Sequence, residues 1–263
     1  MLAFDYARRA TQGAREYQED AATVKAGPPT IAGEPALGWR ELVAVLADGM
    51  GGHTGGALAS KMICERFMVA FSDGEGSVAN RLIVSLEESN DAIGRQVEAD
   101  PVLSGMGSTV IGVAFTDAGV EWVSVGDSPL FLFRRGEVAL LNEDHSLAPE
   151  LDRMAAAGQI TAEQARQDPR RHMLRSAVTG DELDLVDQSR KPLVLEDGDY
   201  VILASDGLHT LQTNEIERII SAYAADGADA VASALIRSVE AMRDPHQDNT
   251  TVVAVRAFVA AEA

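Results

Sequence analysis

The sequence predicts an α+β sandwich in which helices flank antiparallel sheet. Three observations point to it. Short β-branched runs recur along the chain at 41–47, 109–115, 120–125, 130–133, 200–204 and 251–258. Three of these follow one another through the short links Asp117-Ala118-Gly119 and Gly126-Asp127-Ser128-Pro129, which are expected to join antiparallel neighbours, since a parallel crossover needs a dozen or more residues. Helical stripes come in groups between the groups of strands, which disfavours a doubly wound parallel sheet.

Each helix has its own signal. Leu82, Leu86, Ile93 and Val97 share one face of a segment at about 77–99. Ile216, Ile219, Ile220 and Tyr223 form a second stripe, preceded by the capping-type residues Thr213-Asn214-Glu215. Val231, Leu235, Val239 and Met242 form a third, and a further helix is expected at about 56–71. The Pro- and Gly-rich stretch 26–38 reads as a hairpin loop. The stretch 145–185 carries polar and basic residues with two helical fragments and reads as an insertion over the sheet edge.

Composition narrows the function. The chain has 263 residues, 46% of them apolar, enough for one sizeable core. It carries 41 Asp plus Glu against 22 Lys plus Arg, for a net charge of −19, which argues against nucleic acid and anionic membrane as partners. Cys64 is the only cysteine, so no disulfide can form within the chain, and a reducing, cytoplasmic setting is expected. The first residues lack the apolar core of a signal peptide, and no apolar run approaches the ~20 residues that cross a bilayer.

The chemistry lies where apolar strands end. The run 42–47 ends in Asp48-Gly49, 122–125 in Gly126-Asp127, and 200–204 in Ser205-Asp206-Gly207, while Asp248-Asn249 stands just before Thr250-Thr251-Val252-Val253. One Asp-Gly is an ordinary turn former. Four carboxylates abutting buried strands are costly without compensating positive charge. Hard cations such as Mg²⁺ or Mn²⁺ suit that donor set. Zinc suits it less, because His53, His145, His172, His209 and His246 show no ligand-type pairing. Two such cations sharing an aspartate would activate water and neutralise phosphate oxygens, and phosphoester hydrolysis fits best. The glycine-rich stretch 48–56 is no Walker A loop, since no Gly-Lys-Ser/Thr closes it. Ala70 stands six positions after Cys64, where a thiolate phosphatase needs arginine, so Cys64 reads as a core residue.

Seven segments in order resemble the PPM family, the metal-dependent type 2C serine/threonine protein phosphatases, in its bacterial form. They are Arg15-Glu16-Tyr17-Gln18-Glu19-Asp20, Asp48-Gly49-Met50-Gly51-Gly52-His53, Gly107-Ser108-Thr109, Gly126-Asp127-Ser128, Asp144-His145-Ser146, Ser205-Asp206-Gly207 and Asp248-Asn249-Thr250-Thr251. The resemblance implies a four-layer α-β-β-α sandwich of two antiparallel sheets flanked by helices, as one domain over 1–263 with a flap at about 146–184. It implies two Mn²⁺ or Mg²⁺ ions per chain. Asp48 would bridge them, the Gly49 carbonyl and Glu19 would serve one, and Asp206 and Asp248 the other. Asp127, with Asp206, matches a weaker third site, and Arg15 matches the arginine that grips the substrate phosphate. Arg15, Asp48, Asp206 and Asp248 are thus the catalytic set. Phosphorylated proteins and a cognate Ser/Thr kinase system are the implied partners, with a monomeric enzyme.

This chain departs from the family pattern at three places. Met50 stands where animal-type members carry a histidine that acts as general acid, which leaves His53 or a metal-associated water as proton donor. Pro129 follows Gly-Asp-Ser where arginine is common, and Ala177-Val178-Thr179-Gly180 matches the flap end only loosely. Arg166, Arg170, Arg171 and Arg175 in the flap either touch substrate or pair on the surface. The alternative to an enzyme is a phosphoprotein-binding regulatory module of the same fold.

Overall fold

Apolar runs without polar alternation suit strands that are buried on both faces, and the interior strands here are of that kind. The computed structural model describes residues 2–27 and 41–260, apart from the side chains of His53 and Thr54. In chain order the elements are β1 (Leu2–Thr11), β2 (Asp20–Ala26), β3 (Leu42–Met50), α1 (His53–Asp73), α2 (Val78–Ala99), β4 (Gly107–Ser108), β5 (Val110–Thr116), β6 (Gly119–Val125), β7 (Leu130–Arg134) and β8 (Glu137–Leu140). There follow α3 (Ala148–Ala156), α4 (Ala162–Gln167), β9 (Asp187–Gln188), β10 (Tyr200–Ala204), α5 (Thr213–Tyr223), α6 (Ala228–Met242) and β11 (Thr250–Val259).

The strands form two antiparallel sheets, ordered β1-β11-β10-β7-β8 and β2-β3-β5-β6-β9, with β4 paired to β3. Alternation along each strand divides the core into three layers. Tyr200, Ile202 and Ala204 of β10 face α5 and α6, while Val201 and Leu203 face the opposite sheet. Ala44 and Leu46 of β3 meet them from across the sandwich, while Val45 and Ala47 face α1 and α2. The result is the α-β-β-α order. Cys64 is buried on α1 among these apolar residues, and burial pushes its thiol up to about 12.

One expected pairing is absent. The turn Gly126-Asp127-Ser128-Pro129 does not join antiparallel neighbours but carries the chain from one sheet to the other, since β6 pairs with β5 and β9 whereas β7 pairs with β10 and β8. Gly126 adopts φ 105°, which turns the backbone out of the sheet. Side chains then satisfy the flanking amides: Gly126 N–H donates to His145 Nδ1 (3.2 Å) and Leu130 N–H to Asn142 Oδ1 (2.8 Å). Of the strands without a sequence signal, β1, β2, β8 and β9 are the edges of the two sheets, and the two-residue β4 pairs with the end of β3. Of the expected hairpin loop at 26–38, residues 28–38 lie outside the described residues; the flanking β2 and β3 do pair antiparallel. Between β8 and β9 the chain forms α3 and α4, packed on each other; the bridge Ser146↔Leu174 closes this segment on itself and Ser108↔Val178 ties it to β4.

Helix α1 sits close to its sheet because β5 carries Gly112 beneath the Phe67 ring. A Cβ there would stand 2.2 Å from the ring. Gly112→Val is therefore expected to destabilise the fold by about 1–3 kcal/mol through overpacking. Adding Phe67→Leu should recover part of the loss, with both read by chemical denaturation.

Candidate functional site

The strand ends converge. Asp48 closes β3, Asp206 follows β10, Asp248 precedes β11 and Asp127 occupies the turn that crosses between the sheets. Together with Arg15, Glu19 and Gly49 they line one cavity of about 770 Å³. All seven residues expected at the site are thus brought together. Asp20, not singled out from sequence, belongs with them: β2 pairs with β3 so that Asp20 lies directly opposite Asp48.

Hydroxyls and amides hold this arrangement. The Asp48 carbonyl accepts from Ser108 Oγ (2.7 Å) and Thr109 N–H (2.9 Å), and Asp48 N–H donates to Thr109 Oγ1 (3.2 Å). Thr109 Oγ1 in turn bonds Ser128 Oγ (2.7 Å), which ties the crossing turn to β3. Asn249 locks the loop carrying Arg15. Its Nδ2 donates to the Gln12 and Tyr17 carbonyls (2.9 Å each), and its Oδ1 accepts from Glu19 N–H (2.7 Å). Gly49 is required sterically, since a Cβ would lie 2.1 Å from the Gly56 carbonyl oxygen and 2.6 Å from that of Glu19.

Charge is the dominant feature. Burial, followed by repulsion from Asp20, Asp206, Asp127 and Asp248, pushes Asp48 well above the usual carboxylate range. Burial raises Asp20 from 3.8 to about 6, partly offset by Ser205 Oγ donating at 2.7 Å. Asp127 rises to about 7 through burial, then through Asp206 and Asp144. Asp206 is raised by burial and next by Asp248. Asp248, among the described residues, is paired with Arg15. Among the described residues no three Asp, Glu, His or Cys side chains stand as a ready-made ligand group. The carboxylates are gathered, and one guanidinium, that of Arg15, meets their charge.

The arginines of 146–184 divide. Arg166 pairs with Glu163, Arg170 with Asp168 and Arg171 with Asp152, all within the segment, whereas Arg175 lines the cavity. Met50 and His172 also line it. The side chain of His53 lies outside the described residues. His145 is used structurally, accepting at Nδ1 from Gly126, and burial lowers its pKa.

Residues 35–252 match the protein phosphatase 2C family. The serine/threonine protein phosphatase PstP of Mycobacterium tuberculosis is 34% identical over 211 residues, 79% of this chain and 39% of that protein; the chain therefore spans about two fifths of that relative's length. Protein phosphatase PhpP of Streptococcus pneumoniae is 34% identical over 182 residues, 67% of this chain and 72% of that protein. Among solved structures, the catalytic domain of PstP in complex with two manganese ions superimposes with a TM-score of 0.75 at 28% identity, covering 98% of this chain and 100% of that one.

The electrostatics predict how stability depends on pH. Carboxyl groups raised in the fold keep protons that the unfolded chain releases above about 3.8. Without metal the fold therefore loses stability as pH rises from that value through about 6 for Asp20 and about 7 for Asp127. Divalent cations bound among these carboxylates would remove the repulsion. The melting temperature with Mn²⁺ minus that with chelator should be small at pH 5 and grow steadily to pH 7.5 in differential scanning fluorimetry; a flat or zero difference contradicts the cluster.

Proposed function

The chain belongs to the protein phosphatase 2C family, and we propose that it is a metal-dependent phosphatase that removes phosphate from serine and threonine side chains of proteins. The observation carrying this reading is the convergence of Asp48, Asp206 and Asp248, from three separate strands, on one open cavity that also holds Arg15. A module that only bound phosphoproteins would have no use for so many crowded like charges.

The residues present fit divalent cations. The donor set is all oxygen, and two buried carboxylate oxygens beside it, Glu19 Oε1 and Asp20 Oδ1, have no hydrogen-bond partner. Asp48 would be shared by two ions, with the Gly49 carbonyl and Glu19 on one side and Asp206 and Asp248 on the other; Asp127 with Asp206 would hold a weaker third. Bound there, the cations would supply a nucleophilic water at neutral pH and offset the charge of the phosphate oxygens.

The chain's own groups do the rest. Arg15, now on Asp248, would turn its planar guanidinium to two phosphate oxygens once Asp248 has another partner. Asn249 keeps Arg15's loop in place, so that the substrate phosphate is held in one orientation. The hydroxyls of Ser108, Thr109 and Ser128 fix the Asp48 backbone, which limits where its carboxylate can point. Residues 146–184 would form a flap beside the cavity, contributing His172 and Arg175. The PstP and PhpP names support a phosphoprotein substrate, and the reading includes a cognate Ser/Thr kinase system that supplies it. No described helix is long and apolar enough to cross a membrane, and we place the enzyme in the cytoplasm as a monomer.

The protein should hydrolyse a phosphothreonine peptide with Mn²⁺ and lose turnover on chelation. Asp206→Asn should reduce kcat to background; equal activity in that variant would sink the reading. Arg15→Lys should raise KM about tenfold, the loss of one charge-assisted hydrogen bond, with a smaller change in kcat.

A further inference from the structure

The catalytic cavity has a second wall that the metal centre leaves unused. Thr179, Asp181, Glu182 and Asp184 line it from the stretch between the Val178 bridge and β9. The three carboxylates are exposed. Among the described residues their one side-chain hydrogen bond is from the Thr179 hydroxyl, which donates to Asp181 at 3.4 Å. Divalent cations at Asp48, Asp206 and Asp248 would offset the charge there and leave the charge of this wall standing.

The wall has no regular secondary structure of its own, and α2 supplies its support. Asn90, only 8% exposed, donates from Nδ2 to the Asp181 carbonyl (2.7 Å) and accepts at Oδ1 from Gly180 N–H (2.9 Å). One amide thus meets both a donor and an acceptor of the same backbone turn. One helical turn further on, Gly94 lets that turn come close. A Cβ on Gly94 would stand 3.2 Å from the Gly180 oxygen, and Gly180 itself has φ 90° with no room for a side chain. The neighbouring buried polar residues of α2 behave differently: Ser85 and Ser89 bond back to Arg81 and Ser85 carbonyls within the helix. Asn90 spends its polar capacity on the wall.

We infer that Asn90 is a positioning residue that holds the wall of Asp181, Glu182 and Asp184 against the catalytic cavity, and that this wall selects phosphorylated peptides carrying lysine or arginine beside the phosphorylated residue. The inference rests on the phosphatase reading above. A chain with net charge −19 already draws basic partners and repels acidic ones. The wall converts that general attraction into a local preference at the peptide flanking the phosphate. Exposed pairs are individually weak, so three carboxylates should together be worth about three- to tenfold in KM and should fade with salt.

Steady-state kinetics with Mn²⁺ on three substrates tests this: a phosphothreonine peptide flanked by arginines, the same peptide with alanines in their place, and an aryl phosphate. The wild type should show the lowest KM for the arginine peptide, and 0.5 M NaCl should shrink that advantage. Asn90→Ala should raise KM for the arginine peptide about three- to tenfold relative to the aryl phosphate, leaving the ratio of kcat values between the two unchanged. Gly94→Ala perturbs the same contact while favouring the helix, and should shift the ratio in the same direction. The double variant Glu182→Gln, Asp184→Asn should erase the preference for arginine, and carries the test with Gly94→Ala if Asn90→Ala does not fold. A proportional loss on all three substrates would make Asn90 merely structural and overturn the inference. So would a wild type without preference that turns over all three, and the phosphatase reading would then survive. No turnover of any substrate would overturn both.

Discussion

Asp48 is half-buried beside Asp20, Asp127, Asp206 and Asp248, and its desolvation together with their mutual repulsion makes its ionised form costly. That repulsion is the constraint around which one end of the molecule is organised. It is met in part by the Arg15 guanidinium on Asp248 and by Ser205 Oγ donating to Asp20. A hard cation on Asp248 would displace Arg15 and free it for an anion. The same charge pattern would make the site selective for a metal and a phosphate together.

The sandwich supplies the geometry. Strands buried on both faces can end only at the rim, and β2, β3, β10 and β11 all present a carboxylate at or beside an end. The crossing turn between β6 and β7 adds Asp127 because it leaves one sheet for the other there, with Ser128 bonded to Thr109 across the gap. Small residues permit the approach. Gly49 packs against the Gly56 and Glu19 carbonyls and Gly207 against the Asn249 carbonyl, at distances that leave no place for a side chain. Helices α1 and α2 do more than cover a sheet, since α2 also reaches the far wall of the cavity through Asn90.

Much of this was legible in the sequence, and what was not has physical causes. The six interior strands announce themselves because burial on both faces demands unbroken apolar runs. The edge strands β1, β2, β8 and β9 carry charged residues such as Asp5, Arg8, Arg9, Lys25 and Glu137 where one side meets solvent, and that breaks the pattern. The turn at 126–129 misleads because its length fits a hairpin equally well; only the side-chain partners His145 and Asn142 reveal that it changes sheets. Asp48, Asp127, Asp206 and Asp248 stand out by their place next to apolar strands. Asp20 does not, since its position depends on the register of an edge strand. Asn90 looks like one more polar residue on an amphipathic helix, and its role follows solely from which loop packs on α2. Arg166, Arg170 and Arg171 look like substrate contacts until their carboxylate partners within the same segment are seen.

The central claim is that the repelling carboxylates form a divalent-metal centre. The most direct measurement is anomalous diffraction at the manganese edge from crystals of this protein grown with Mn²⁺. The account predicts two strong peaks sharing Asp48, one beside the Gly49 carbonyl and one between Asp206 and Asp248, with Arg15 swung away from Asp248. Crystals in which Asp48 contacts no peak and Arg15 still holds Asp248, at millimolar Mn²⁺ and neutral pH, would contradict it.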